Sequence, residues 1–229
     1  MIPRAAGVWL TVHACLPAVT VLAQEPVPSQ APEEGALVHV GYVTEAYYEA
    51  PGGAGLLPLA LGEARVASQH AELAATQPYS LQTMKAHAVH VLHALDPALV
   101  AAGPGLGYGV RRAAQGIAEH IERASAGEDA SYNVRTHARH IAGAARSVSA
   151  RADRVVSLAQ RIQSEISIST AAALVTQLHE EAQALFSGRD ADRDGLIGWA
   201  PPEGGLRQIQ QHVTLLERGE AMTRGGVRP

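Results

Sequence analysis

Cysteine is almost absent: the single residue, Cys15, lies in an apolar N-terminal stretch. One thiol forms no intrachain disulfide, and thiolate-rich zinc sites and CxxCH haem attachment are excluded with it. Aromatic residues are scarce at 4%, too few for an ordinary sheet core. The hydrophobic fraction of 47% comes mostly from Ala, Val and Leu, which suits closely packed helices. No basic stripe with interleaved aromatics runs through a chain of formal net charge −4, so nucleic acid is not expected as a partner. Neither a Gly-x-Ser-x-Gly elbow nor His-Glu-x-x-His occurs. The segment GPGLGYG, residues 103–109, lacks the Gly-Lys-Ser/Thr ending of a phosphate loop and reads as a connector. With no catalytic constellation, the expectation is binding rather than enzymatic chemistry.

The N-terminus has the pattern of an export signal over residues 1–23. Arg4 supplies the positive start, an apolar core follows, and Val21-Leu22-Ala23 fits the small-residue cleavage rule. His13 and Pro17 break the apolar run, so a permanent membrane anchor is not expected. Cleavage after Ala23 would remove Cys15 and one positive charge, leaving a periplasmic or secreted protein.

Residues 24–55 begin as a Pro-rich segment and then pass into a short element that alternation and helical spacing describe equally well. From residue 56 onward the pattern is helical. Helices are expected over residues 56–76, 80–95, 109–126, 131–165, 170–187 and 205–222, with Ser80 as an N-cap and Asp96-Pro97 as a stop. The fold class is therefore all-α. The expected organisation is a four-helix bundle of two repeated helical hairpins (56–166), a C-terminal helix–loop–helix (167–222) and a tail (223–229).

The two hairpins carry histidines in register. At a lag of fifty residues His70 falls on His120, His87 on His137, and His90 on His140. Each unit has one His on its first helix and a His-x-x-His pair on its second. Apolar residues flank them: Ala67 and Ala74 beside His70, Met84 and Val91 beside His87, Val134 and Ile141 beside His137. The spacing predicts inward-facing rings, the outer ones roughly 10–15 Å from the turns. In an up-down-up-down bundle all six would share one slab. His93 has no counterpart, because Gly143 stands at its position. His39, His179 and His212 are read as solvated or capping residues.

Neutral imidazoles clustered without cysteine point to a nitrogen-rich site for Cu, Zn, Ni or Fe. Glu72 and Glu122 lie two residues beyond His70 and His120 and point away from them. The site thus departs from carboxylate-bridged di-iron bundles. Haem held between two axial histidines is an alternative, giving a redox-active bundle. A ligand-free scaffold or partner-binding protein is another, and the sequence names no protein partner.

A second constellation is Asp190-Ala191-Asp192-Arg193-Asp194-Gly195-Leu196-Ile197-Gly198. It resembles the EF-hand calcium loop over nine positions. Alternate aspartates converge on one hard cation, Gly195 gives the sharp turn, and Leu196 offers its carbonyl. The resemblance implies Ca2+ held by Asp190, Asp192, Asp194, Leu196 and Gly198. The twelfth position, where that family places a bidentate Glu, is Pro201; Glu203 substitutes only if the chain bends it back. The segments HVGYV, GLLPLALGEARVASQH, MKAHAVHVLHALDP, GPGLGYGVRRAA and DADRDGLIGW make the chain similar to a family of exported proteobacterial helical proteins. That resemblance implies periplasmic residence and supplies no catalytic residues.

Overall fold

Three helices start at a serine N-cap. The hydroxyls of Ser80, Ser131 and Ser167 accept from the backbone N–H groups of Thr83, Val134 and Thr170. Each such cap is worth about 1 kcal/mol. The computed structural model describes residues 35–224, so the export signal, the Pro-rich start and the last five residues lie outside it. The described residues contain seven α-helices and no strand: α1 (Ala36–Thr44), α2 (Leu56–Ala75), α3 (Leu81–Leu95), α4 (Val110–Ala126), α5 (Tyr132–Ser164), α6 (Ile168–Ser187) and α7 (Leu206–Arg224). The ambiguous element before residue 55 is thus helical, followed by a 3-10 turn at Pro51–Gly53. Among the described residues no helix is long and apolar enough to cross a membrane.

Helix α5 organises the rest. It has 33 residues against 15 for α3 and 17 for α4, and the two shorter helices lie in tandem along it. Near its C-terminus, Gln163 donates to the Lys85 carbonyl at the start of α3. Arg111 bridges Asp96, just past the end of α3, to Asp153 midway along α5. Toward its N-terminus, Arg146 pairs with Glu122, and Arg135 donates to the carbonyls of Ser125 and Gly127 at the end of α4. The chain therefore runs down α3, on along α4, and back along the whole of α5.

The C-terminal helices repeat this tandem on α5. Glu181 on α6 meets Arg154 and Arg151 in the middle of α5. On α7, Glu220 and the Leu216 carbonyl accept from Asn133, and Glu220 also accepts from Ser131. Gly219 makes this approach feasible, since a Cβ there would stand 2.5 Å from Asn133. The two hairpins thus meet end to end rather than side by side, and α6 and α7 are built into the same body instead of forming an appendage.

Two buried charged groups join these parts. Glu63 on α2 accepts from the N–H groups of Tyr108 and Gly109 and so caps α4 from a distance. Arg151, 1% exposed, donates to the carbonyls of Pro202, Glu203 and Gly204 and ties the acidic loop to α5. Helix α1 is docked likewise: Asp129, between α4 and α5, accepts from the Ala36 N–H. The core is a layer of alanines, leucines and valines, with Ala64, Ala67, Ala71, Ala138, Ala145 and Ala152 wholly or almost wholly buried, and small side chains let the helices approach closely.

Candidate metal centres

The α2–α3 hairpin brings His70 opposite His87 and His90. Both lie within two to three turns of the reversal at residues 76–80, and the i,i+3 spacing puts His87 and His90 on one face. The Nδ1 atom of His70 stands 3.0 Å from that of His87 and 3.3 Å from that of His90. All three rings are half-buried.

A second trio forms on α5 and α7. The Nδ1 atom of His212 lies 3.2 Å from that of His137 and 3.3 Å from that of His140. The two trios have the same internal shape. In each, the single His lies nearly parallel to the first His of the pair, with centroids 5.2 and 5.4 Å apart at 30° and 37°. It stands edge-on to the second, 4.5 Å away in both, at 69° and 64°.

The six histidines expected in one cluster do not come together. His120 does not join His137 and His140; it meets His39 on α1, with Nδ1 atoms 3.2 Å apart and both rings buried. His212, read from sequence as a solvated or capping residue, takes the vacated place, and His39 is likewise no solvated residue. The shared slab fails for a topological reason. With α3 antiparallel to the C-terminal half of α5, His87 and His90 lie beside residues near 160, while His137 and His140 begin the same helix. Some twenty helical residues separate the trios, about 30 Å. The trios also sit at the rim of the helix pairs rather than deep in the stripe. His93 is a packing residue: its Nδ1 lies 2.7 Å from the Val100 carbonyl, and its ring fills the space beneath Gly103. His179 contacts Gln183 on its own helix.

Burial and neighbouring imidazoles favour the neutral form of five of these rings. Partial burial, aided by His90 and His87, lowers the pKa of His70; burial with His90 lowers that of His87. Burial lowers His137, and burial with His137 and Arg139 lowers His140. His212 is pushed down to about 4 by burial and then by His140 and His137. A neutral Nδ1 carries either one proton or one lone pair, never both. Three of them converging can therefore form at most a partial set of ring–ring hydrogen bonds, whereas one cation satisfies three lone pairs together. Nitrogens held tetrahedrally at a zinc-type bond length of 2.0–2.1 Å would stand about 3.3 Å apart. Each trio is thus placed to hold a metal ion.

The acidic loop gathers Asp190, Asp192 and Asp194, whose carboxylates also converge closely enough for one ion. Asp190 accepts from the N–H groups of Arg193 and Gly195, Asp192 from that of Asp194, and Asp194 from that of Leu196. Gly195 has φ +89°, the left-handed turn for which glycine is suited. Glu203 does return over the loop: its carboxylate accepts from the N–H groups of Ala191, Asp192 and Gly198. Those hydrogen bonds lower its pKa against the opposing field of Asp190. Ile197 packs over Gly188, where a Cβ would meet it at 2.7 Å.

The loop also reaches the second trio. Trp199 stacks on His140, centroids 4.2 Å apart at 25°. It lies against Gly143, where a Cβ would come within 3.1 Å of the indole, which accounts for glycine where the first hairpin has His93. Comparison with known protein families, curated proteins and solved structures finds no match for this chain.

Proposed function

We propose that this is an exported metal-binding protein that carries transition-metal ions at two separate three-imidazole sites, His70/His87/His90 and His137/His140/His212. The observation that carries the reading is that in each trio one Nδ1 atom stands 3.0–3.3 Å from those of the other two, an arrangement built twice from unrelated helix pairs. Three neutral nitrogens suit Cu, Zn, Ni or Fe, and they leave a coordination position open for water or an exchanging ligand. Half-exposed rings favour ions that load and leave over a locked structural centre. The tight spacing favours an ion over haem, whose two axial nitrogens stand on opposite faces about 4 Å apart with the macrocycle between them.

Calcium at the acidic loop is a second, compatible part of the reading. It is favoured by the three converging aspartates and by Glu203, whose carboxylate folds back onto the loop backbone although Pro201 stands at the twelfth position. Such a site would brace the turn between α6 and α7 and hold α7 in place. The reading of export and periplasmic residence is supported by the N-terminal sequence pattern.

The test is metal content of the purified protein together with equilibrium titration by zinc or copper. One equivalent is expected to disappear in His87→Ala and a different one in His212→Ala. Stoichiometry unchanged by both substitutions, with melting also unchanged, would select a ligand-free scaffold instead.

A further inference from the structure

The pair His39/His120 repeats more of the trio geometry than two rings. In both trios the His-x-x-His pair occupies positions i and i+3 on one helix, and the third His comes from a neighbouring helix. On α1 the residue three beyond His39 is Tyr42. Taking His120 as the single His from the neighbouring helix, all three ring relationships can be compared. His39 and His120 have centroids 5.3 Å apart at 35°, against 5.2 Å at 30° and 5.4 Å at 37° in the trios. Tyr42 stands edge-on to His120 at 5.1 Å and 65°, against 4.5 Å at 69° and 64°. His39 and Tyr42 are 5.8 Å apart at 63°, against 5.9 Å at 72° and 6.0 Å at 83°. The Nδ1–Nδ1 distance, 3.2 Å, also matches.

We infer that His39, His120 and Tyr42 form a third metal site, in which a phenol oxygen takes the place of the third imidazole. This inference rests on the reading of the trios as metal sites, because their shape is its template. On binding, the phenol gives its proton to water and ligates as phenolate. Two neutral nitrogens and one anionic oxygen form a harder donor set than three nitrogens, suited to cupric or ferric ions more than to cuprous. His39 and His120 are 8% and 7% exposed, so this ion would be better sheltered than those of the half-exposed trios. Tyr47 stands edge-on to His120 at 5.0 Å and closes the site on another side. It is not the ligand, because its phenol is turned to Glu49.

The experiment is titration of the purified protein with cupric ion, followed by stoichiometry and visible absorption. The native chain is expected to bind three equivalents. A chain with both trios disabled (H87A, H90A, H137A and H140A) should retain one, with a phenolate-to-copper charge-transfer band. Tyr42→Phe in that background should abolish the band and weaken binding at least tenfold. Tyr42→Phe alone, which keeps ring and packing, should abolish the band in the native chain and leave the two trio equivalents. Two equivalents in the native chain and none in the trio-less chain, with unchanged circular dichroism, overturn the third site and leave the trios standing. One equivalent in both, with the band, overturns the trios and leaves the third site. A band that survives Tyr42→Phe overturns the assignment of the phenol.

Discussion

His212 and His137 bring their Nδ1 atoms to 3.2 Å although 75 positions separate them in the chain. Helix α7 makes this contact, held at its far end by Asn133 and Ser131 through Glu220. The second centre therefore depends on the C-terminal helix staying docked. His212→Ala should weaken metal binding at that centre by more than the roughly 10–100-fold typical of residues that merely support a ligand. The first centre should be unaffected. Isothermal titration of the variant decides it: equal loss at both centres, or none, contradicts the assignment.

Acid should unload and loosen the protein. An unfolded histidine titrates near 6.5, while His212 in the fold titrates at about 4, and His70, His87, His137 and His140 are also lowered. Between these values the unfolded chain takes up protons that the folded chain refuses. Stability of the metal-free protein is thus complete above pH 6.5 and falls as pH drops toward about 4. Melting temperatures at pH 7, 5.5 and 4 should decline, and His212→Asn should decline less steeply. Equal slopes in the two proteins contradict it.

Calcium in the millimolar range should raise the melting temperature, since an ion that binds only the folded chain stabilises it by mass action. Asp190→Ala should remove the rise. Indifference of the native chain to calcium would count against the loop as an ion site.

Arg151→Met should detach that loop from α5. The guanidinium is buried and donates to three loop carbonyls, and burial lowers its pKa to about 10. Losing charged donors to buried carbonyls should cost about 3 kcal/mol in denaturant unfolding. Binding at the second centre should weaken along with it, because Trp199 no longer backs His140. A loss under about 0.5 kcal/mol, the scale of an ordinary surface change, would contradict the clamp.

Local chemistry was largely legible in the sequence. Periodicity, with Ser80 as an N-cap, places each helix from α2 to α7 within about two residues, the usual fuzziness of helix ends. The His-x-x-His pairs and the aspartate loop were visible as patterns. Pairing within each hairpin was legible too, since His70 does meet His87 and His90, but packing between the hairpins and onto α7 was not, because the lag of fifty compares sequence neighbours and contact follows topology. The overlooked signal was length: α5 equals α3 and α4 laid end to end, so its two halves need different partners. A second overlooked signal was His39-x-x-Tyr42, forty-eight positions before His87-x-x-His90, hidden because tyrosine does not match histidine. His212 carried no repeat signal at all, since α7 has no counterpart in the two hairpins.

The stacking of Trp199 on His140 has a practical consequence. The chain has one other tryptophan, Trp9, and it falls in the segment that export would remove. The processed protein would then emit from a single indole, pressed against one of its imidazole centres. A paramagnetic ion arriving there should quench that emission strongly, while the same ion at His70, about 30 Å away along α5, should leave it almost unchanged. Fluorescence alone would then report the filling of one centre against the silence of its twin.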